Sequence, residues 1–336
     1  MDTKPLTPTP GLLWGFTVTN GVASRLTNET ASEALAAPHD WAWLHFALAD
    51  HRARRYLEST APVPPAARAL LLGNETRQQL HLADGYAYGL LPDIEKDFEG
   101  QTLGTGRIAF YLDDRRLITA RHRTMRVADE VRQAAEAGAA LATPTDAFVH
   151  HVEHFLAIVE DRLQQLAHDL DHIEDVVLSD RDDIDPKGLG PARRELSRYR
   201  REFSGLRGAL LRAQNVRHVP GAAQAPAIAC PIAPHLPGLA QAVEDLDRDA
   251  AALADRARLL YEEIDSRIAS TTNRSLSTLT ILSTLLLPPT FIAGAFGMNL
   301  HGISWENDPN GFWWALGLCF AVVAAGYLLL RRFRIL

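Results

Sequence analysis

Residues 275–305 read SLSTLTILSTLLLPPTFIAGAFGMNLHGISW, a run without one Asp, Glu, Lys or Arg. A second uncharged stretch, Pro309 to Leu330, follows a short polar connection and almost ends the chain. A helix needs roughly 20 apolar residues to cross a bilayer, so each stretch is long enough to span one. The layout is therefore a long water-compatible part followed by two membrane passages. The connection between them starts with Gly297-Met298-Asn299 and continues through His301, Glu306 and Asp308. An asparagine there would offer its side-chain oxygen to an ion at the mouth of a passage.

The chain has 336 residues, 47% of them hydrophobic, and a formal charge of −7. That length accommodates two soluble domains, or one domain with a membrane part. Met1 to Pro10 is polar and proline-rich, without the apolar core of a secretory signal. Cys230 and Cys319 lie in different regions, which argues against a disulfide framework and fits a reducing compartment. The acidic balance gives no reason to expect nucleic acid as a partner. Arg267 and Arg274 precede the first span, and Arg331, Arg332 and Arg334 follow the second. The connection has no Lys or Arg, so the positive-inside rule predicts an inner (plasma) membrane protein with both termini cytoplasmic.

Before the spans, Leu12–Val18, Trp43–Leu48, Ile108–Leu112 and Arg116–Ala120 read as strands, the last two joined by an Asp113-Asp114 turn. Helical patches such as Ala66–Leu72 lie between them, which predicts an α/β or α+β domain. Thr143-Pro144-Thr145-Asp146 is a helix start. From it runs a heptad stripe of Val149, Val152, Leu156, Val159, Leu163, Leu166, Leu170, Ile173 and Val177. Leu196, Tyr199, Phe203, Leu206 and Leu210 repeat the pattern, and the proline-rich residues 218–238 read as a linker. A third stripe, from Val243 to Ile264, continues without a helix breaker towards Leu287. A helix from Leu239 to Asn299 would be roughly 90 Å long at 1.5 Å per residue, which suits a stalk in an oligomer.

Several residues could carry chemistry. Asn273, Ser277, Thr280 and Thr284 share one helical face, as glue between helices or as a hydrated wall. Pro288-Pro289 removes two amide donors near Thr284 and Leu285, which kinks the helix or frees carbonyls for a cation. In the first part of the chain, His168, His172 and Asp175 fall at i, i+4 and i+7. That spacing suits a zinc ion, although the heptad sets these residues on a face that is ordinarily solvated charge. The Asp180–Asp185 run reads as a solvated turn, or as a regulatory cation site.

The run Pro289-Thr290-Phe291-Ile292-Ala293-Gly294-Ala295-Phe296-Gly297-Met298-Asn299 resembles the signature of the CorA family of divalent-metal transporters. Two C-terminal spans, the long stalk and an α/β front domain match that family's layout, so the resemblance covers nearly the whole chain. It implies a funnel-shaped homopentamer whose first span lines a central pore. By position, it implies an outer selectivity ring at Asn299, with Gly297 and Met298 holding its backbone. Gly294, Thr290, Leu287 and Ser283 would line the pore below, and Leu279 and Leu276 would form apolar constrictions. Leu300-His301-Gly302-Ile303, Trp43-Leu44-His45 and Asn74-Glu75-Thr76-Arg77 are most similar to the ZntB zinc-transporting branch. That branch implies uptake coupled to protons, yet neither span holds an Asp, Glu or His to relay one. Glu306 and Asp308 would concentrate any cation at the mouth without choosing among them. His301 adds an imidazole, which zinc favours over magnesium, or is an ordinary loop histidine.

These readings divide the chain into a cytoplasmic α/β domain (1–143), a helical stalk region (144–274) and a pore-lining span (275–298). An outer loop (299–311), a second span (312–330) and a basic tail (331–336) complete it. The expected activity is movement of a divalent cation, with Zn²⁺ favoured and Mg²⁺, Co²⁺ and Ni²⁺ as alternatives, without a cofactor. A CorA-type magnesium or cobalt channel is the runner-up. A non-conducting, membrane-anchored metal sensor is the alternative from another class. An enzyme is not expected, because no phosphate-cradling glycine motif and no nucleophile–base set is present.

Overall fold

The computed structural model describes residues 9, 11–26, 30–36, 39–59, 61–96, 102–139, 141–179, 188–215, 230–298 and 309–332. The chain divides into two compact units, Met1–Arg258 and Leu259–Leu336.

Unit 1 is built on a seven-stranded mixed sheet. Its strands are β1 (Leu12–Thr19), β2 (Val22–Arg25), β3 (Trp41–Ala47), β4 (Gln79–Ala83), β5 (Tyr86–Lys96), β6 (Thr102–Asp113) and β7 (Arg116–Arg121). They lie in the order β2-β1-β3-β7-β6-β5-β4. The β3–β7 pair is parallel and every other neighbouring pair is antiparallel. The predicted β6–β7 hairpin closes at Asp113-Asp114, with Leu112 opposite Leu117. The parallel pair needs a crossover, and two helices lie along the chain between β3 and the β6–β7 hairpin, α2 (His51–Ser59) and α3 (Pro65–Leu72); α1 (Ala31–Ala36) precedes β3.

Alternation in the strands feeds two apolar layers. Leu44 and Phe46 face a layer shared with Ala53 and Leu57 of α2 and Ala67 and Leu71 of α3. Trp41 and Trp43 face the opposite layer, which takes in α4 (Arg126–Glu136), α5 (Pro144–Leu178), α6 (Leu189–Asn215) and the start of α7 (Leu236–Gly297). A register shift between Leu12 and Trp14 puts these two residues in different layers.

The capping signal at Thr143 is a full capping box. The Asp146 amide donates to Thr143 Oγ1 at 3.2 Å, and the Thr143 amide donates to Asp146 Oδ2 at 2.8 Å. Along α5, Val152, Leu156, Val159, Leu163, Leu166, Leu170 and Val177 are buried, as their heptad spacing predicts. The α6 stripe is buried as well, and Glu202 on that helix anchors it to the sheet. This carboxylate accepts from Gln78 Nε2 at 2.6 Å and Thr105 Oγ1 at 2.8 Å, and pairs with Arg107 at 2.8 Å.

A buried polar seam lies on the α4–α5 side of the sheet. Asp93 accepts backbone hydrogen bonds from Ile94 (2.6 Å), Val127 (2.8 Å) and Ala128 (3.1 Å), so it caps the first turn of α4. His151 Nε2 donates to the Pro92 carbonyl at 3.2 Å and lies 3.9 Å from Asp93. His45 stacks on Trp14 at 4.5 Å, and its Nδ1 lies 2.7 Å from Thr119 Oγ1. Burial holds His151 down at about 4, against the Pro92 bond, and holds His45 well below the imidazole range, helped by Arg121, His151 and Arg132. Burial also pushes Asp93 up to about 7, against its three amide bonds and Arg121.

Between pH 4 and 6.5 an unfolded chain protonates His151 while the fold keeps it neutral, and the lowered His45 acts in the same sense, so acid weakens the fold through each. Asp93 opposes them, because in the same window it is protonated when folded and ionised when unfolded. Two imidazoles against one carboxyl leave a net slope, with stability falling as pH drops. Thermal unfolding of the full chain is expected to shift downwards from pH 6.5 to 5, and His151→Gln to lose most of that slope. An unchanged slope in the variant would contradict the assignment.

Candidate functional site

Unit 2 holds the apolar part of α7 together with α8 (Gly311–Arg332), and both are long and apolar enough to cross a membrane. Most of their large apolar side chains are exposed, among them Leu276, Leu279, Leu287, Phe291, Phe320 and Leu328. In water such a surface is untenable. In hydrocarbon it is the expected exterior.

One face of α7 packs inward. Ile281, Leu285, Pro289, Ile292 and Phe296 are half-buried at steps of four, four, three and four. On α8 the half-buried stripe includes Gly311, Ala315, Cys319 and Gly326, small residues that let two helices approach closely. Cys319 Sγ donates to the Pro289 carbonyl at 3.8 Å. A methyl group on Gly326 would sit 3.6 Å from Leu285 Cδ2. The adjacent prolines leave the helix unbroken to Gly297.

The residues expected along an ion path lie on the other side of α7. At about 100° per residue, Leu287 is roughly 200° around from Leu285, and Gly294 roughly 200° from Ile292. Leu276, Leu279, Leu287, Thr290 and Gly294 are exposed, and Ser283 is half-buried. The structure thus sets these six on or near one face and covers none of them fully. Nor does packing among the described residues call for glycine at 294 or 297: a methyl group on either would meet none of them within 4 Å. Glycine in a helix interior costs about 1 kcal/mol relative to alanine, and no contact among the described residues accounts for it at 294.

The hydroxyls on this helix are spent locally. Thr280 Oγ1 donates to the Leu276 carbonyl (2.8 Å), Thr284 to Thr280 (2.8 Å) and Thr290 to Leu286 (2.7 Å). These bonds run within α7, so they are neither glue to α8 nor open donors. Each hydroxyl has committed its proton and keeps only lone pairs, which is the half a cation uses.

Met298 is exposed. Asn299, His301, Glu306 and Asp308 lie outside the described residues, as do the Asp180–Asp185 run and Leu300–Ile303. The zinc set expected on α5 lies on an exposed face. His168, His172 and Asp175 are all exposed, and no group of three or more His, Cys, Asp or Glu among the described residues is arranged to hold a metal. Its acidic neighbours serve an arginine instead: Asp171 pairs with Arg256 at 2.6 Å, and Glu174 with the same guanidinium. Seven-residue spacing aligns side chains along a helix, but here that face is the ordinary charged exterior. Trp43 and His45 are also structural, buried against Thr119 in the sheet's core.

Comparison with known proteins gives a consistent picture. The model of a family described as "CorA-like Mg2+ transporter protein" matches residues 38–332. The chain is 25% identical over 331 residues to the divalent cation transporter CmaX of Pseudomonas aeruginosa, covering 96% of each. It is 26% identical over 286 residues to the zinc transport protein ZntB of Yersinia enterocolitica, covering 83% of each. Among solved structures, full-length CmaX matches with a TM-score of 0.78 at 23% identity, over 96% of this chain and 98% of that one. The CorA magnesium transporter of Methanocaldococcus jannaschii matches at 0.66 and 16%, over 95% and 97%.

If the glycines serve contacts outside the single chain, Gly294→Ala and Gly297→Ala separate stability from activity. Thermal unfolding should stay unchanged or rise by the equivalent of up to about 1 kcal/mol. Divalent cation flux in proteoliposomes should fall by about tenfold or more, because a methyl narrows or stiffens the path. Wild-type flux in both variants would show that the glycines are incidental.

Proposed function

The chain belongs to the CorA-like family of divalent cation transporters, and from that premise we propose that it takes up Zn²⁺ through a central pore formed by five copies. Members of this family are transporters, not enzymes. The observation that carries the reading is the uncovered face of α7, from Leu276 to Gly294, which runs towards Gly297-Met298-Asn299 opposite the face packed on α8. Five such faces around one axis would cover one another and enclose a path. Leu276 and Leu279 would close it by dewetting, and Ser283 and Thr290 would offer oxygens further along. Asn299 would meet the entering ion as a ring of side-chain carbonyls. Glu306, Asp308 and His301 would raise the local cation concentration outside it. Both termini would be cytoplasmic, on the charge asymmetry of the flanking arginines.

Zinc is favoured by Leu300-His301-Gly302-Ile303 and by the similarity to ZntB proteins over most of their length. Magnesium is the second reading, supported by the family's own description and by the likeness in fold to a CorA magnesium transporter. A proton gradient is the driving force that the ZntB similarity adds to the proposal.

Proteoliposomes loaded with a metal-sensitive dye separate these readings. Wild type is expected to take up Zn²⁺ faster than Mg²⁺, with the rate increased when the outside is more acidic. Asn299→Ala is expected to lower uptake and blur the preference. Magnesium flux without zinc flux would replace the zinc reading, and flux of neither ion would end the transport proposal.

A further inference from the structure

Unit 1 contains a cavity of about 450 Å³ between the start of α4, the middle of α5 and α6. Arg126, Arg162 and Arg198, one from each helix, line it together with Asp161, Glu195 and Tyr199. One arginine is already occupied: Arg162 Nε and Nη2 donate to Glu195 at 2.9 and 2.8 Å. Tyr199 donates to the same carboxylate at 3.1 Å, which leaves Glu195 little capacity for the other cations. Arg126 gives only Nε, at 2.8 Å, to Glu130, and no hydrogen bond from its two Nη groups is found among the described residues.

Arg198 is the unusual member. Its guanidinium lies 5.9 Å from the Tyr199 ring centroid, and its Nε is buried without a hydrogen-bond partner. Among the described residues no carboxylate comes within ion-pair distance of it. Buried donors in folded proteins are nearly always satisfied, by protein, water or ligand. The remaining opposite charge on the wall, Asp161, is exposed.

Guanidinium forks match phosphate oxygens in pairs, and a tetrahedral dianion can serve two forks at once, whereas a planar carboxylate serves one. We propose that this cavity binds a phosphate or phosphomonoester dianion, held between Arg126 and Arg198. The cavity is larger than inorganic phosphate requires, so a small phosphorylated solute fits the space as well. Unit 1 thereby gains a ligand opposite in charge to the transported ion, at a site that uses no residue of the cation path.

The test uses the full chain in detergent, with thermal unfolding followed as inorganic phosphate replaces chloride at constant ionic strength. The expected result is a saturable rise in the midpoint. Its apparent Kd should weaken by about tenfold or more in Arg198→Gln and in Arg126→Gln. Arg248→Gln, which removes an exposed cation paired with Glu244 and Asp245, should leave it unchanged. Arg198→Lys, which keeps the charge but not the fork, should also weaken binding and serves if the glutamine variant does not fold. In parallel, the ³¹P resonance of inorganic phosphate should broaden with wild type and sharpen with Arg198→Lys. No phosphate-specific rise in wild type, or an equal rise in the Arg198 variants, would overturn the site.

Discussion

Hydrocarbon admits a backbone only when the chain satisfies its own amides and carbonyls, and unit 2 is organised around that demand. The apolar part of α7 stays helical to Gly297, through two adjacent prolines that deny it two amide donors. Its threonine hydroxyls bond back to their own helix, so little polar capacity is left pointing at lipid. Small residues on α8 let the Cys319 thiol reach the Pro289 carbonyl. What remains is one long face of α7 that the described residues of unit 2 leave largely uncovered. No contact among the described residues accounts for this face or for the glycines at 294 and 297. Both gain a reason once other copies and a passing ion occupy that side.

Unit 1 instead buries several polar groups and uses them to fix its helices. Asp93 caps α4 from a neighbouring strand, and Glu202 ties α6 to the sheet through three donors. Such bonds fix where helices sit more sharply than apolar contact does, since a misplaced helix would strand a charge in the core. Arg198 Nε is one of several buried side-chain atoms in this unit without a hydrogen-bond partner among the described residues, and it is the one that belongs to a wall of arginines.

The readable parts of the sequence were those governed by local periodicity. The α5 and α6 stripes, the capping box at Thr143, the β6–β7 hairpin and the two uncharged spans all follow from spacing along the chain. β5 was hidden because Gly89, Pro92 and Asp93 interrupt its pattern. Each has a non-local reason to be there. A methyl at Gly89 would lie 2.2 Å from the Gln79 carbonyl oxygen. Pro92 lies beyond Leu90, where pairing with β4 has ended and no donor is needed on that side. Asp93 serves α4. The His168, His172 and Asp175 set on α5 shows the converse limit: spacing places side chains on a common face without saying what that face meets. Arg126, Arg162 and Arg198 come from three separate helices, and no rule of sequence spacing brings them together. The residues proposed along the ion path come from the family signature, and the structure adds the phase of the helix they lie on.

That phase is the central claim, and thiol accessibility measures it directly. Single cysteines introduced along α7 in a Cys319→Ser, Cys230→Ser background can be probed in membranes with a small water-soluble thiol reagent. Protection against it by Zn²⁺ or Mg²⁺ marks the ion path. Labelling that the cation slows is expected at Ser283→Cys, Leu287→Cys, Thr290→Cys and Gly294→Cys, with little reaction at Leu285→Cys and Ile292→Cys. The reverse pattern, or labelling without period along the helix, would contradict the assignment of this face to the ion.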